Sequence, residues 1–223
     1  MQTTPRVLWE TGSLLAIEKP AGLNVERWPG FPSVEDWVAS YLGAGRRAVF
    51  VGIIHRLDRP VSGVLLLAKK KSALLALNEQ FRQREVAKSY QALVEQPLPE
   101  MSGELVHWLR KDQAAKRAYA YNRPTAQAQE ARIHYQQLGV MPLGIALEVR
   151  PDAGKYHQIR VQLAVAGSPI VGDALYGAQS TFFPDAIALH AARLTFFDPA
   201  GGQEVTVEAL PPWNAPALPM PNG

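Results

Sequence analysis

An α+β fold on a mixed sheet, flanked by helices and loops, is what this sequence predicts. Two observations lead there. Segments with strand character recur from end to end, whereas helical signals are few. No internal repeat, low-complexity tract or linker divides the 223 residues, and 47% of them are apolar, enough for one sizeable interior. The expected organisation is a single domain over residues 1–210 and a proline-rich tail over 211–223.

Residues 6–9 and 14–18 read as two short strands joined by the turn-rich Thr11-Gly12-Ser13 and closed by Lys19-Pro20-Ala21-Gly22. Pro32-Ser33 opens a helix to about residue 42. Ser33 is its N-cap, Glu35 and Asp36 suit the positive end of its dipole, and Gly43 and Gly45 end it. Residues 48–54 and 64–68 are strongly apolar strands on either side of a polar segment. Ser72 is placed to cap a helix to about residue 84, with Leu74, Leu77 and Phe81 along one stripe. Strands follow over 86–94 and near 104–109, 131–138 and 145–149. Residues 156–166 are helical, with Gly167 in a left-handed position after the end and Pro169 beyond it. Residues 189–197 and 204–208 supply the last two strands, and the tail from Pro211 is expected to be poorly ordered.

Lys and Arg total 23 against 20 acidic residues, a formal charge of +3 with a pI near 9.2. That mild surplus permits a polyanionic partner without demanding one. The chain has no cysteine, which excludes disulfides, thiolate catalysis and cysteine-held zinc. The N-terminus lacks the basic-then-apolar pattern of a secretory signal. The apolar run at 64–68 is far shorter than the roughly 20 residues a bilayer span needs. A cytoplasmic protein without membrane contact is expected.

The most unusual stretch is His55 to Gly63, HRLDRPVSG. Two apolar strands flank it, so its polar side chains sit where strands end, a common location for functional groups. As an ordinary turn, it would simply solvate Asp58 and Arg59. As a site, it offers a carboxylate, ionised at neutral pH, among guanidinium groups. Such a group serves as nucleophile, base or ion-pair partner, and the residues alone do not choose. Tyr90, on a strand in Lys88-Ser89-Tyr90, is either a core ring or an aromatic face with a hydroxyl. Gly154 to Arg160, GKYHQIR, opens the late helix. It brings His157 and Arg160 to neighbouring positions, a solvated face unless a carboxylate from elsewhere meets Arg160. His190 in Leu189-His190-Ala191 is equally readable as a hydrogen-bonded core histidine.

Taken together, these segments resemble the RluA-type pseudouridine synthases. The family's His-Arg-Leu-Asp motif, followed by Ser-Gly and an apolar strand, stands here as HRLDRPVSGVLLLAK. Its Lys-x-Tyr strand matches Lys88-Ser89-Tyr90, and its Gly-x-x-His-Gln-Ile-Arg helix matches GKYHQIRVQL. Its Gly-Asp-x-x-Tyr-Gly matches Gly172 to Gly177, and the segments 15–22 and 189–191 also fit, in order, over about residues 7–210. Three positions depart from the pattern. Val61 stands where the family usually has Thr, Tyr156 where it has Thr, and Gln162 where it has His.

The resemblance implies a pseudouridine synthase fold, with a mainly antiparallel central sheet and the active-site cleft across it. It implies isomerisation of uridine to pseudouridine in ribosomal or transfer RNA, with no cofactor and no metal. Asp58 would be the catalytic carboxylate, either bonding to the sugar or acting as base on the ribose to give a glycal. Arg160 would pair with it, Tyr90 would stack on uracil, and Leu189 would give an apolar wall. Arg56 would enter the place vacated by a flipped nucleotide. Phosphates would meet basic side chains such as Lys69 to Lys71, Arg82, Arg84, Arg110, Lys111, Lys116, Arg117 and Arg123, with Tyr119 and Tyr121 stacking on unpaired bases. The family's small N-terminal RNA-binding domain is expected to be absent, and the protein to be a monomer. Two competing readings are a non-catalytic RNA-binding protein on the same fold and a hydrolase using Asp58 with His55 or His157.

Overall fold

A computed structural model describes residues 4–43 and 49–214. β1 (Arg6–Glu10) and β2 (Leu14–Lys19) form the expected hairpin. Its turn is held by Thr11, whose Oγ1 accepts the N–H groups of Ser13 and Leu14 at 3.3 and 3.1 Å. α1 (Val34–Gly43) starts where expected, with the Ser33 hydroxyl accepting the Asp36 N–H at 3.1 Å.

Alternation decides how the next strands pack. β2 and β4 (Ser62–Ala68) pair antiparallel and are apolar on both faces. Leu15, Ile17, Leu65 and Leu67 point into one core with α1, whereas Leu14, Ala16, Val64, Leu66 and Ala68 point into a second. That second core is covered by α2 (Lys71–Gln83) through buried Ala73 and Leu77.

Two expectations near here need correction. The strand read over 48–54 is only β3 (Gly52–Ile53), because the edge of β4 that it would line is shared with other partners. β3 pairs with Leu67 and Ala68, the His55 ring takes the Leu66 N–H at 3.0 Å, and a later strand takes Ser62 and Gly63. Ala48 itself lies outside the described residues. Ser72 does not cap α2: the chain leaves β4 extended at Lys70, which is the N-cap position without a side-chain bond, so Ser72 falls inside the first turn.

β5 (Ala87–Val94), β6 (Ser102–Asp112), β7 (Arg117–Tyr121), β8 (Gln129–Met141) and β9 (Gly144–Pro151) extend the sheet, with β6 and β8 longer than expected and β7 unforeseen. α3 (Gln158–Val165) ends as anticipated at Gly167, φ +84°. Gly167 N–H reaches Ala164 O and Ser168 N–H reaches Leu163 O, both at 3.0 Å, a paired closure that needs a left-handed residue. β10 (Leu189–Phe197) and β11 (Glu204–Glu208) have the expected limits.

Among the described residues the strands form one sheet in the order β1-β2-β4-β10-β5-β9-β8-β6-β7, with β3 on β4 and β11 on β10. Every ladder is antiparallel except β4 against β10, where Ser62 and Gly63 lie beside His190 and Ala191. The backbones approach so closely there that a Cβ on Gly63 (φ +116°) would sit 2.3 Å from Ala191 O; only glycine fits. His190 is the core histidine. It bonds Ser62 Oγ at 2.8 Å and Ala209 O at 3.2 Å. The start of the tail is also packed, since Trp213 meets Phe182 and His190 edge-on; residues 215–223 lie outside the described residues. No described helix is long and apolar enough to cross a membrane.

Candidate active site

The alternation of HRLDR sorts its side chains. Leu57 and, beyond the turn, Val61 are buried in the core, which leaves Asp58 half-buried and Arg56 and Arg59 exposed. The Asp58 loop is tied at its base: Val61 N–H donates to Asp58 O at 3.0 Å and Gly22 N–H to Arg59 O at 2.8 Å. Beneath it lies Lys19, fully buried, whose Nζ donates to the carbonyls of Pro20, Leu23 and Arg59 at 2.9, 2.9 and 3.2 Å. Burial pulls Lys19 down to about 7, although the nearby Asp58 charge works the other way. Three accepting carbonyls match the three donors of an ammonium group, so the geometry favours the charged form.

Arg160 comes from α3, which is anchored by two glutamines. Gln158 donates to Arg132 O at 3.0 Å, and Gln162 to Leu105 O and Ala131 O at 3.0 and 3.1 Å. The departure at Gln162 thus supplies an amide that fastens the helix to β6 and β8. Arg160 holds Asp173 in a fork, Nε to Oδ2 at 2.7 Å and Nη2 to Oδ1 at 2.9 Å, and reaches Asp58 Oδ2 with Nη1 at 3.0 Å. Burial opposes its charge, but the two carboxylates outweigh that and raise its pKa above the ordinary arginine value.

His157 adds a second group near the same oxygen. Its Nε2 is 3.6 Å from Asp58 Oδ2, and its Nδ1 is 2.8 Å from the Tyr176 hydroxyl. That hydroxyl already accepts the Ala118 N–H at 2.8 Å, so its own proton is directed to Nδ1, which places the histidine proton on Nε2, facing Asp58. Burial lowers His157 to about 4 and raises Tyr176 to about 12, consistent with both being neutral. His157 reaches this position with a left-handed backbone, φ 52°, which delays the start of α3 to Gln158. His55 is differently employed. Its Nε2 is committed to the Leu66 N–H, its ring stacks on Phe81 at 5.1 Å, and burial drops it to about 3.

Asp58, Arg56, Tyr90, Arg160 and Leu189 all line one cleft, open to solvent on one side. Leu189, at the start of β10, is buried in its wall, and Tyr90 stands on β5 opposite Ala191 and Val149. Burial, helped by the Asp58 charge, pushes the Tyr90 hydroxyl up, so it stays a neutral phenol. Arg56 stands at the mouth and is paired with Glu26 at 2.8 Å. Lys111, over the Tyr156 ring at 4.6 Å, and Lys116 line the wider groove outside Asp58. Tyr119 is flanked by Arg110 and Arg117 at 5.7 and 5.2 Å, and Lys69 is engaged by Glu10. The residues given no role from sequence are Asp173 and Tyr176. The available signal was the GDALYG segment itself, together with the need of a buried arginine for an acidic partner.

The chain matches the family model for RNA pseudouridylate synthases over residues 13–165. It is 30% identical to tRNA pseudouridine synthase C of Pectobacterium carotovorum subsp. carotovorum over 96% of this chain and 60% of the relative. With ribosomal large subunit pseudouridine synthase C of Escherichia coli strain K12 it shares 32% identity over 91% of this chain and 65% of the relative. The first curated relatives are thus longer, the chain spanning 60–66% of their length. Among solved structures, human RNA pseudouridylate synthase domain containing 4 matches with a TM-score of 0.72 and 25% identity, over 92% of this chain and 88% of that one. The protein is a member of the RNA pseudouridylate synthase family.

Proposed function

We propose that this protein isomerises uridine to pseudouridine in ribosomal or transfer RNA, with Asp58 as its catalytic carboxylate. The observation that carries this reading is the buried array Asp173–Arg160–Asp58 opening into the cleft shared by Tyr90 and Leu189. Arg160 and His157 both approach Asp58 Oδ2, so Oδ1 is the oxygen offered to the sugar. The reaction breaks the bond between uracil N1 and ribose C1′, turns the base and joins C5 to C1′, the proton lost from C5 being matched by one taken up at N1. Asp58 serves it by bonding to C1′ or by taking the C2′ proton to form a glycal. The guanidinium holds the carboxylate oriented in either case.

Tyr90 covers one face of the uracil and Leu189 the other side of the pocket, which keeps water from the separated base. A uridine in a stacked strand reaches this depth only when flipped out, at a cost of a few kcal/mol. Arg56, at the mouth and held by an exposed pair with Glu26, fills the vacated place. Residues 1–210 act as one catalytic unit, supported by the single sheet running from β1 to β11. The enzyme works as a monomer in the cytoplasm.

Tritium release from RNA labelled at uridine C5 tests the reading. The unaltered protein releases label, and Asp58→Asn binds the same RNA without releasing it. Equal release by the two proteins removes Asp58 from the mechanism, and no release by either favours a binding protein.

A further inference from the structure

The loop between β2 and α1 ends in a rigid aromatic tip. Trp28-Pro29-Gly30-Phe31 is a tight turn in which Phe31 N–H donates to Trp28 O at 3.1 Å, with Pro29 and the positive-φ Gly30 (+80°) in the two central positions that such a turn favours. The base of the loop is closed: Val34 N–H reaches Asn24 O at 2.8 Å, and Glu35 N–H reaches Val25 O at 3.1 Å. The tip is therefore held in place while its rings remain uncovered. Trp28 is 64% exposed and Phe31 49% exposed.

These rings line the wide groove that contains Asp58. The Arg59 guanidinium, next in sequence to Asp58, lies 5.8 Å from the Phe31 ring centroid. Cationic side chains along this groove outnumber carboxylates six to three. Four of the six are internally paired, Arg27 with Asp36, Arg56 with Glu26, Arg59 with Asp185 at 3.2 Å, and Arg160 with Asp58 and Asp173. Lys111 and Lys116 line the same groove. Exposed aromatic faces interleaved with cations are what an unpaired polynucleotide strand requires: a ring for each base and a charge for each phosphate. A folded duplex hides its base faces and gains nothing from such rings.

We propose that the Trp28–Phe31 turn is a stacking subsite for an unpaired nucleobase adjoining the uridine that enters the Asp58 cleft. The proposal rests on the isomerase reading and narrows its substrate to RNA with at least one unstacked nucleotide beside the target. Phe31, backed by Arg59, bears on the base, and Trp28 closes over its outer face.

The probe is a fluorescein-labelled single-stranded oligouridylate of about twelve nucleotides, a length that covers the roughly 4–16 nucleotides typical of single-strand sites. Binding is read by anisotropy, and stacking by tryptophan emission with unlabelled probe. Trp28 is exposed, whereas Trp9, Trp37, Trp108 and Trp213 are half-buried, so quenching by a bound base reports mainly on it. We expect the unaltered protein to bind and be quenched. Trp28→Phe should bind within about threefold but lose most of the quench, and Trp28→Ala/Phe31→Ala should bind at least about tenfold more weakly, as loss of base stacking predicts. Thermal melting confirms that the variants are folded, and Trp28→Phe preserves the test if the double variant is not.

The proposal is overturned if the unaltered protein fails to bind the probe, if the quench survives Trp28→Phe, or if a duplex of equal length competes as well as the single strand. It is also overturned if the double variant binds RNA normally but sediments as a smaller species, which would make the tip a contact between copies. Loss of tritium release is a separate matter. A protein that binds and quenches yet never releases label retains this subsite and loses the isomerase reading.

Discussion

Asp58 and Arg160 are 102 residues apart in the chain and 3.0 Å apart in space. What fixes that contact is Asp173, whose side chain is almost wholly buried and takes the other edge of the guanidinium in a fork. Asp173→Asn removes a buried charge that Arg160 needs. It should lower stability by about 3–5 kcal/mol, measured by urea unfolding. Turnover should fall while KM changes little, because Arg160 then swings off Asp58. A variant as stable as the parent would show that the fork is not what holds the cation.

Tyr90 offers both a ring and a hydroxyl that burial keeps protonated. Tyr90→Phe keeps the ring, so KM should stay within about threefold; if the hydroxyl also carries a proton at the uracil, kcat falls by roughly a hundredfold. Tyr90→Leu should raise KM as well. If the phenylalanine variant matches the parent in single-turnover tritium release, the hydroxyl has no part in the chemistry.

Lys19 joins three carbonyls, one of them on Arg59 beside Asp58. Lys19→Met should leave Pro20 O and Leu23 O without a donor, while Arg59 O keeps the Gly22 N–H, at about 1–3 kcal/mol for each one not rescued by water. Amide exchange should quicken around residues 59–61 before it does elsewhere. Unchanged exchange there would mean that the loop is held by its backbone bonds alone.

His55, His157 and His190 are lowered by burial to about 3, 4 and 4, from an ordinary 6.5. Between those values and 6.5 the unfolded chain binds protons that the native state refuses. The stability is therefore complete above pH 6.5 and is lost as pH falls toward 4, each group contributing at most about 1.4 kcal/mol per pH unit. Urea midpoints at pH 7 and pH 4.5 measure the loss, and His190→Gln should flatten the dependence. A midpoint that does not move with pH would contradict neutral burial of these rings.

Much of this arrangement was legible in the sequence. β10 and β11 were delimited correctly because apolar alternation runs their full length, and α1 because Ser33 sits where a cap is needed. β7 was missed: RAYAY carries a weak strand signal, and only its pairing with β6 draws it into the sheet. The ends of β6 and β8 were clipped because their outer residues are polar and exposed, supported by each other and not by a core. In the site, Asp58, Tyr90 and Arg160 stood out because ordered motifs marked them. Asp173 and Tyr176 meet Arg160 and His157 in space, and although the GDALYG segment stood out, nothing in its spacing named those partners.

β4 and β10 meet side by side at Ser62–Gly63 and His190–Ala191, joined by no hairpin. During synthesis, then, Asp58 leaves the ribosome long before the strand that walls its cleft has been made. β1, β2 and β4 are free to zip together early, as neighbours in sequence. The carboxylate nevertheless lacks its cation until Arg160 has been made, and the Leu189 wall of its cleft until the polypeptide has grown past residue 189. The cleft around Asp58 is therefore complete only after β10 has been made.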